Sequence, residues 1–128
     1  EMKAHPTHGV ELLRGVTTVP DEAKRIVLEH HEHLDGTGYP QGLTEDKISQ
    51  LSRVACLADV FDALTTKRSY KEAQSADVAL DIMIKMAPGK FDPKIFGLLE
   101  KRAFGKQDVV AKDGTDPCQP GFAVKKVA

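Results

Sequence analysis

Apolar residues recur at helical spacing along most of the chain, and they predict a run of helices separated by glycine- and proline-rich breaks. Val10, Leu12 and Leu13 mark a short helix over 7–14, with Thr7 or His8 near its start; Gly15 and the stretch to Pro20 end it. Ala23, Ile26, Val27 and His30 share a face of a second helix, which Asp21 can cap. That spacing puts His30 on the buried side, with His31 about 100° round from it. Gly36, Gly38, Pro40 and Gly42 rule out a regular element over 35–42. A third helix begins near Ile48 and carries Leu51, Val54, Ala55, Ala58, Phe61 and Leu64, with Leu57 and Val60 on another side. Apolar on most faces, it reads as central. Asp59 and Asp62 interrupt it at i, i+3 and so share a face. Ser75 can cap a fourth helix bearing Val78, Ala79, Ile82, Met83 and Met86, which Pro88-Gly89 stops. Asp92-Pro93 opens a fifth that runs to Ala103. Strand signals are slight, so the expected class is all-α, a helical bundle over 1–104. The remainder, 105–128, is expected to be an extended, weakly packed tail, with a small hairpin between Val109-Val110 and Phe122–Val124 as an alternative.

Composition narrows the class of function. The chain has 128 residues, 29% of them charged and 41% hydrophobic, which suits one soluble domain or part of one. A formal charge of −1 gives no electrostatic case for a nucleic-acid polymer or an anionic membrane as partner. No apolar run approaches the roughly 18 residues of a membrane span, and no signal peptide is visible. Cys56 and Cys118 are far apart and make no disulfide framework, which points to a reducing, cytoplasmic setting. The chain opens on Glu1, as a processed chain or an excised fragment would, and all five histidines fall within the first 33 residues.

That clustering directs attention to a site. His30-His31 stands at the end of the second helix, where both rings can reach one metal ion; a hydrogen-bonded core histidine beside a solvated one is the plainer alternative. Asp59 lies among Ala55, Cys56, Leu57, Ala58, Val60 and Phe61, where a carboxylate is costly to bury unless paired or ligated; an ordinary solvent-facing aspartate is the plainer alternative. The glycine-rich stretch lets backbone amides approach a ligand closely, and Tyr39 offers a stacking face; ordinary turns have the same composition. Arg68 and Lys71 are two cations suited to phosphate or simply to a solvated turn. His5 and His8 precede the first helix, as ligands or as surface residues.

Taken together these segments resemble one family. The run from His30 to Pro40 is similar to the signature His-His-Glu-x-x-Asp-Gly-x-Gly-Tyr-Pro of HD-GYP domains, and every specified position matches. His5-Pro6 with Gly9, the run from Arg53 to Thr65 with Arg68 to Lys71, and Phe91-Asp92-Pro93 resemble further blocks of that family. The resemblance covers roughly 2–100. It implies an all-α bundle of the HD superfamily and a phosphodiesterase that hydrolyses the bacterial messenger cyclic di-GMP with two or three divalent ions, iron or manganese. His5, His30, His31 and Asp59 would be metal ligands, Arg68 and Lys71 would hold substrate, and Gly36, Gly38, Tyr39 and Pro40 would shape the loop beside the site. His33 departs from the arginine usual there, and His8 from an apolar residue. The family's His-Asp dyad, a following lysine and an earlier histidine belong upstream of His5-Pro6, and 1–8 does not supply them. The chain is therefore expected to be the C-terminal portion of such a domain, incomplete at its N-terminus, inactive alone, and attached to a receiver or sensor domain in its parent. Two other readings are a non-catalytic module that binds nucleotide or partner proteins, and a phosphohydrolase of the wider superfamily acting on another nucleotide.

Overall fold

The computed structural model describes residues 2–104, whose regular elements are helices. Five α-helices follow in order: α1 His5–Leu12, α2 Asp21–Glu29, α3 Gln50–Thr65, α4 Ala76–Met86 and α5 Pro93–Phe104, with short 3-10 turns at Met2–Ala4 and Glu45–Lys47. No strand occurs among the described residues; Asp35 and Thr44, and Arg68 and Lys71, form isolated bridges. The hairpin considered for 109–124, the tail and Cys118 lie outside the described residues.

The helix starts show where side-chain chemistry governs. Ser49 and Ser75 cap α3 and α4, their hydroxyls accepting from the amides of Ser52 and Val78. Asp92 Oδ1 accepts from Lys94 N (2.9 Å) and Ile95 N (3.3 Å), with Pro93 in the first turn of α5, as the sequence predicts. Two expectations need correction. Helix α1 begins at His5, two residues before Thr7, because Pro6 fits a first helical turn where its missing N–H goes unused. Asp21 does not cap α2: it is the first helical residue, Pro20 precedes it, and its carboxylate pairs with Lys24 at 3.3 Å.

Helix α3 is the hub, packing on α2, α4 and α5. Its Cys56 and Leu57 join Leu80 and Met83 of α4, Phe91, and Phe96 of α5 in the hydrophobic core, with Val60, Phe61 and Leu64 at its margin. The helix is not enclosed on every side, however. Leu51 and Val54 are exposed and Asp59 is 45% exposed, because no other described element covers that face. Polar clamps join the remaining parts. Arg53 bonds Asp92 at 2.9 Å and the carbonyls of Ile48 and Glu45, fastening α3 to the start of α5. Leu34 N and Asp35 N donate to the carbonyls of Lys90 and Gly89, which fixes the 34–44 loop to the α4–α5 turn. No described helix is long and apolar enough to cross a membrane.

Candidate metal centre

The histidines converge because α1 and α2 approach closely. Gly9 lies one turn beyond His5 on α1, and a Cβ there would sit 2.7 Å from Val27 Cγ1 of α2. The absent side chain lets the helices approach, so that His5 at the start of α1 reaches the end of α2. There His30 closes the helix as its C-cap and His31 follows. His5 Nε2 lies 3.2 Å from His30 Nε2 and 3.1 Å from His31 Nε2. The ring centroids of His5, His30 and His31 lie 4.2–5.3 Å apart.

The donor set suits a metal ion. His30 Nδ1–H donates to the Val27 carbonyl at 2.9 Å, which leaves Nε2 as the ring nitrogen facing the other two. One His5 N–H cannot point along both short contacts at once, whereas a cation accepts lone pairs from all three rings. The three ring nitrogens lie within 4.8 Å of one another, which is compatible with a single coordination sphere. Burial, foremost, and then the neighbouring His30 hold His31 below the ordinary imidazole range, against the pull of Asp59, and so favour its neutral, ligating form.

Asp59 stands apart from this group. Its Oδ2 is 3.8 Å from His31 Nδ1, the nitrogen turned away from His5. The structure thus brings His5, His30 and His31 to one point and sets Asp59 on the outer flank of His31. His30 is half-buried, not fully buried, since the buried residue at the end of α2 is Glu29. His8 is exposed. Arg68 is exposed and Lys71 half-buried, in a tight turn closed by Arg68 N to Lys71 O (2.9 Å) and Lys71 N to Arg68 O (3.1 Å). The Tyr70 hydroxyl, 3.5 Å from Arg68 Nη1, is the main influence raising that guanidinium's pKa, and Asp62 and Asp59 add to it.

The 36–43 loop covers the other flank. Tyr39 stacks on His31 with ring centroids 4.8 Å apart and planes 26° from parallel, and Lys3 Nζ lies 5.6 Å from the Tyr39 ring centre. Gly38 must be glycine, because a Cβ there would strike the backbone of His31, Glu32 and His33. The Tyr39-Pro40 peptide is cis.

Two residues of the site were not singled out from sequence: Glu29 and Glu32, 4% and 2% exposed. Glu29 accepts from Arg25 (2.7 Å) and Ser49 N (3.0 Å), tying the end of α2 to the start of α3. Burial pushes the Glu29 carboxyl up, but bonds from Arg25, Ser49 and Ser52 outweigh it and leave it below its ordinary value. Glu32 accepts from Gln41 N, Gly42 N and Leu43 N. The available signal was their position among the histidines, since a carboxylate beside a predicted ligand cluster is costly to bury without donors. A separate cleft of about 600 Å³ lies between Leu34, Glu45, Ile84, Phe91, Phe96 and Glu100, and none of the three histidines lines it.

A family model described as HD domain matches residues 1–95. The chain is 37% identical over 121 residues to a cyclic di-GMP phosphodiesterase response regulator of Xanthomonas campestris pv. campestris, covering 94% of this chain and 32% of that protein. It is 39% identical over 105 residues to a cyclic di-GMP phosphodiesterase of Pseudomonas aeruginosa, covering 82% and 24%. A 3'3'-cGAMP-specific phosphodiesterase of Vibrio cholerae is 39% identical over 100 residues, covering 78% and 22%. The chain thus spans a third or less of the length of these relatives.

Proposed function

The chain belongs to the HD domain family, in its HD-GYP branch, and on that premise we propose that it forms the metal-binding part of a phosphodiesterase acting on cyclic di-GMP. The observation that carries this reading is the convergence of His5, His30 and His31 on one point. Nitrogen donors with a nearby carboxylate and no thiolate suit iron or manganese. His5, His30 and His31 would hold the ion, and Asp59 would add a carboxylate from α3. Divalent ions bound there supply Lewis acidity toward a phosphoryl oxygen and a hydroxide at neutral pH.

The chain's own residues do the rest. His30 is locked in one tautomer by its bond to Val27, so its ligand nitrogen needs no rearrangement. Arg68 and Lys71 project from one short turn and serve as cations for the phosphates of the substrate, Arg68 through its planar, two-pronged guanidinium. Tyr39, on the His31 ring, and Gly38, against the His31 carbonyl, would wall the site on that side, with Gly36 and Pro40 shaping the loop that carries them. A module that binds nucleotide without cleaving it is the second reading; the presence of His5, His30, His31 and Asp59 together favours the enzyme.

The test uses the full-length protein with manganese or ferrous iron, and follows hydrolysis of cyclic di-GMP and of 3'3'-cGAMP by chromatography. R68A and K71A are each expected to raise KM about 10-fold or more, the loss of one charge-assisted phosphate contact, with metal content unchanged. H30A and H31A are expected to lose metal and turnover together. Faster turnover of 3'3'-cGAMP would reassign the substrate. Metal-loaded protein that binds but cleaves neither nucleotide would establish the second reading.

A further inference from the structure

We propose that Glu32 is a positioning residue: its buried carboxylate holds the 36–43 loop by three backbone amides so that Tyr39 lies on His31 and sets the direction of that imidazole. The inference rests on the metal-site reading for its consequence, but its geometry stands apart from any ion.

Glu32 follows His31 directly and turns inward, 2% exposed. Its Oε1 accepts from Gln41 N at 2.6 Å and Gly42 N at 3.2 Å, and its Oε2 from Leu43 N at 2.8 Å. Three consecutive amides thus close on one charge, a concave arrangement that compensates a buried anion. The near end of the loop is pressed against the same stretch of chain, since a Cβ on Gly38 would lie 2.5 Å from both Glu32 Cα and the His31 carbonyl oxygen. Tyr39 N donates to that carbonyl at 3.1 Å. With both ends of the loop fixed, the Tyr39 ring stacks on His31 at 4.8 Å.

His31 needs this support more than its neighbour does. The His30 ring is held by a 2.9 Å bond to the Val27 carbonyl. Among the described residues, His31 has no such backbone bond: Asp59 stands 3.8 Å from its Nδ1, too far for a hydrogen bond. Beside the His30 and His5 rings, the stack on Tyr39 is the contact from outside the histidine group that keeps its Nε2 directed at His5.

Two readouts test this on the full chain. In metal-free protein, NMR reads the ring-current shift that Tyr39 imposes on the His31 ring protons. Added Mn²⁺ alone then reads site affinity through broadening of the His30 ring signals. E32Q, whose amide group must face a backbone N–H with another N–H, is expected to lose the ring-current shift and to need about 10-fold more Mn²⁺ for half-broadening. Y39F keeps the stack and should match the wild type in both. Y39L should lose both, and E32Q/Y39L should be no weaker than E32Q, because the two changes remove one effect. If E32Q fails to fold, E32D, which draws the oxygens back from the amides, takes its place with the same expectations. An unchanged His31 shift in the Glu32 variant, Mn²⁺ binding by Y39L at the wild-type level, or additive losses in the double variant would each overturn the proposal. No broadening in the wild type would instead remove the metal reading, while the metal-free shifts still judge Glu32.

Discussion

Replacing Gly9 with alanine sets two effects of opposite sign against each other. A methyl group at this position meets Val27 Cγ1 at 2.7 Å, against an ordinary carbon–carbon contact of about 3.5–4.0 Å, so a gap of about 1 Å must open. Val27 cannot easily swing aside, because a β-branched residue in a helix is held to one χ1 rotamer. Helix α1 therefore moves away from α2. Alanine gains about 1 kcal/mol of helix propensity over glycine, and overpacking costs about 1–3 kcal/mol. The net loss centres on about 1 kcal/mol, or about 4 °C in Tm for a domain of this size. The effect on the site is larger in proportion. His5 rides on the displaced helix, and a coordination shell tolerates only about 0.2 Å. Mn²⁺ affinity, measured by calorimetric titration, is expected to fall about 10–100-fold in G9A. In G9A/V27A the affinity returns, since the obstructing methyl is gone, although some stability does not. Undiminished affinity in G9A together with a higher Tm would refute the reasoning, because it would mean that Val27 yields and the helix does not.

Two further outcomes follow from burial. The Cys56 thiol is pushed up to about 11 by its surroundings, with Asp59 adding to the effect, so in a C118S background it should react with Ellman's reagent at about pH 8 only when the chain is unfolded; rapid reaction of the native protein would mean an open core. His31 and His33 are both held below the ordinary imidazole range, by burial first, so the unfolded chain takes up protons before the native one does. The stability they contribute is whole above about pH 6.5 and is lost as pH falls through the ordinary histidine range toward their lowered values. The urea midpoint of metal-free protein should therefore fall between about pH 7.5 and 5.5; equal midpoints would show that neither ring is shielded.

The features legible in the sequence depend on neighbours within one helical turn. Ser75, and Asp92 with Pro93, announce their helix starts because a cap needs only the amides two or three residues on. His30 and His31 stand out as an adjacent pair at a helix end, whereas His5, read as preceding the first helix, joins them only through the family resemblance. Glu29 and Glu32 were not legible, because their donors come from Ser49 and from Gln41 to Leu43, and only the folded loop brings those amides in. The burial expected around Asp59 is corrected for a different reason. Its apolar neighbours are real, but whether such a helix is enclosed depends on what packs against it, and that face of α3 is open in the described structure. The start of α1 was misplaced because Pro6 reads as a breaker unless it falls in a first turn.

The three imidazoles come from one helical hairpin, α1 and α2, joined by the short connection 13–20. That bears on the order in which the molecule forms. Bringing His5 to His30 closes a short stretch of chain, and the entropy lost in closure grows with the length closed. The core between α3, α4 and α5 depends on contacts from Cys56 to Phe96, whereas the three histidines all precede α3 in the chain. A growing chain therefore carries all three ligand nitrogens before the residues of that core are made, and an ion captured at that stage would hold α1 against α2 while the rest of the chain is still folding.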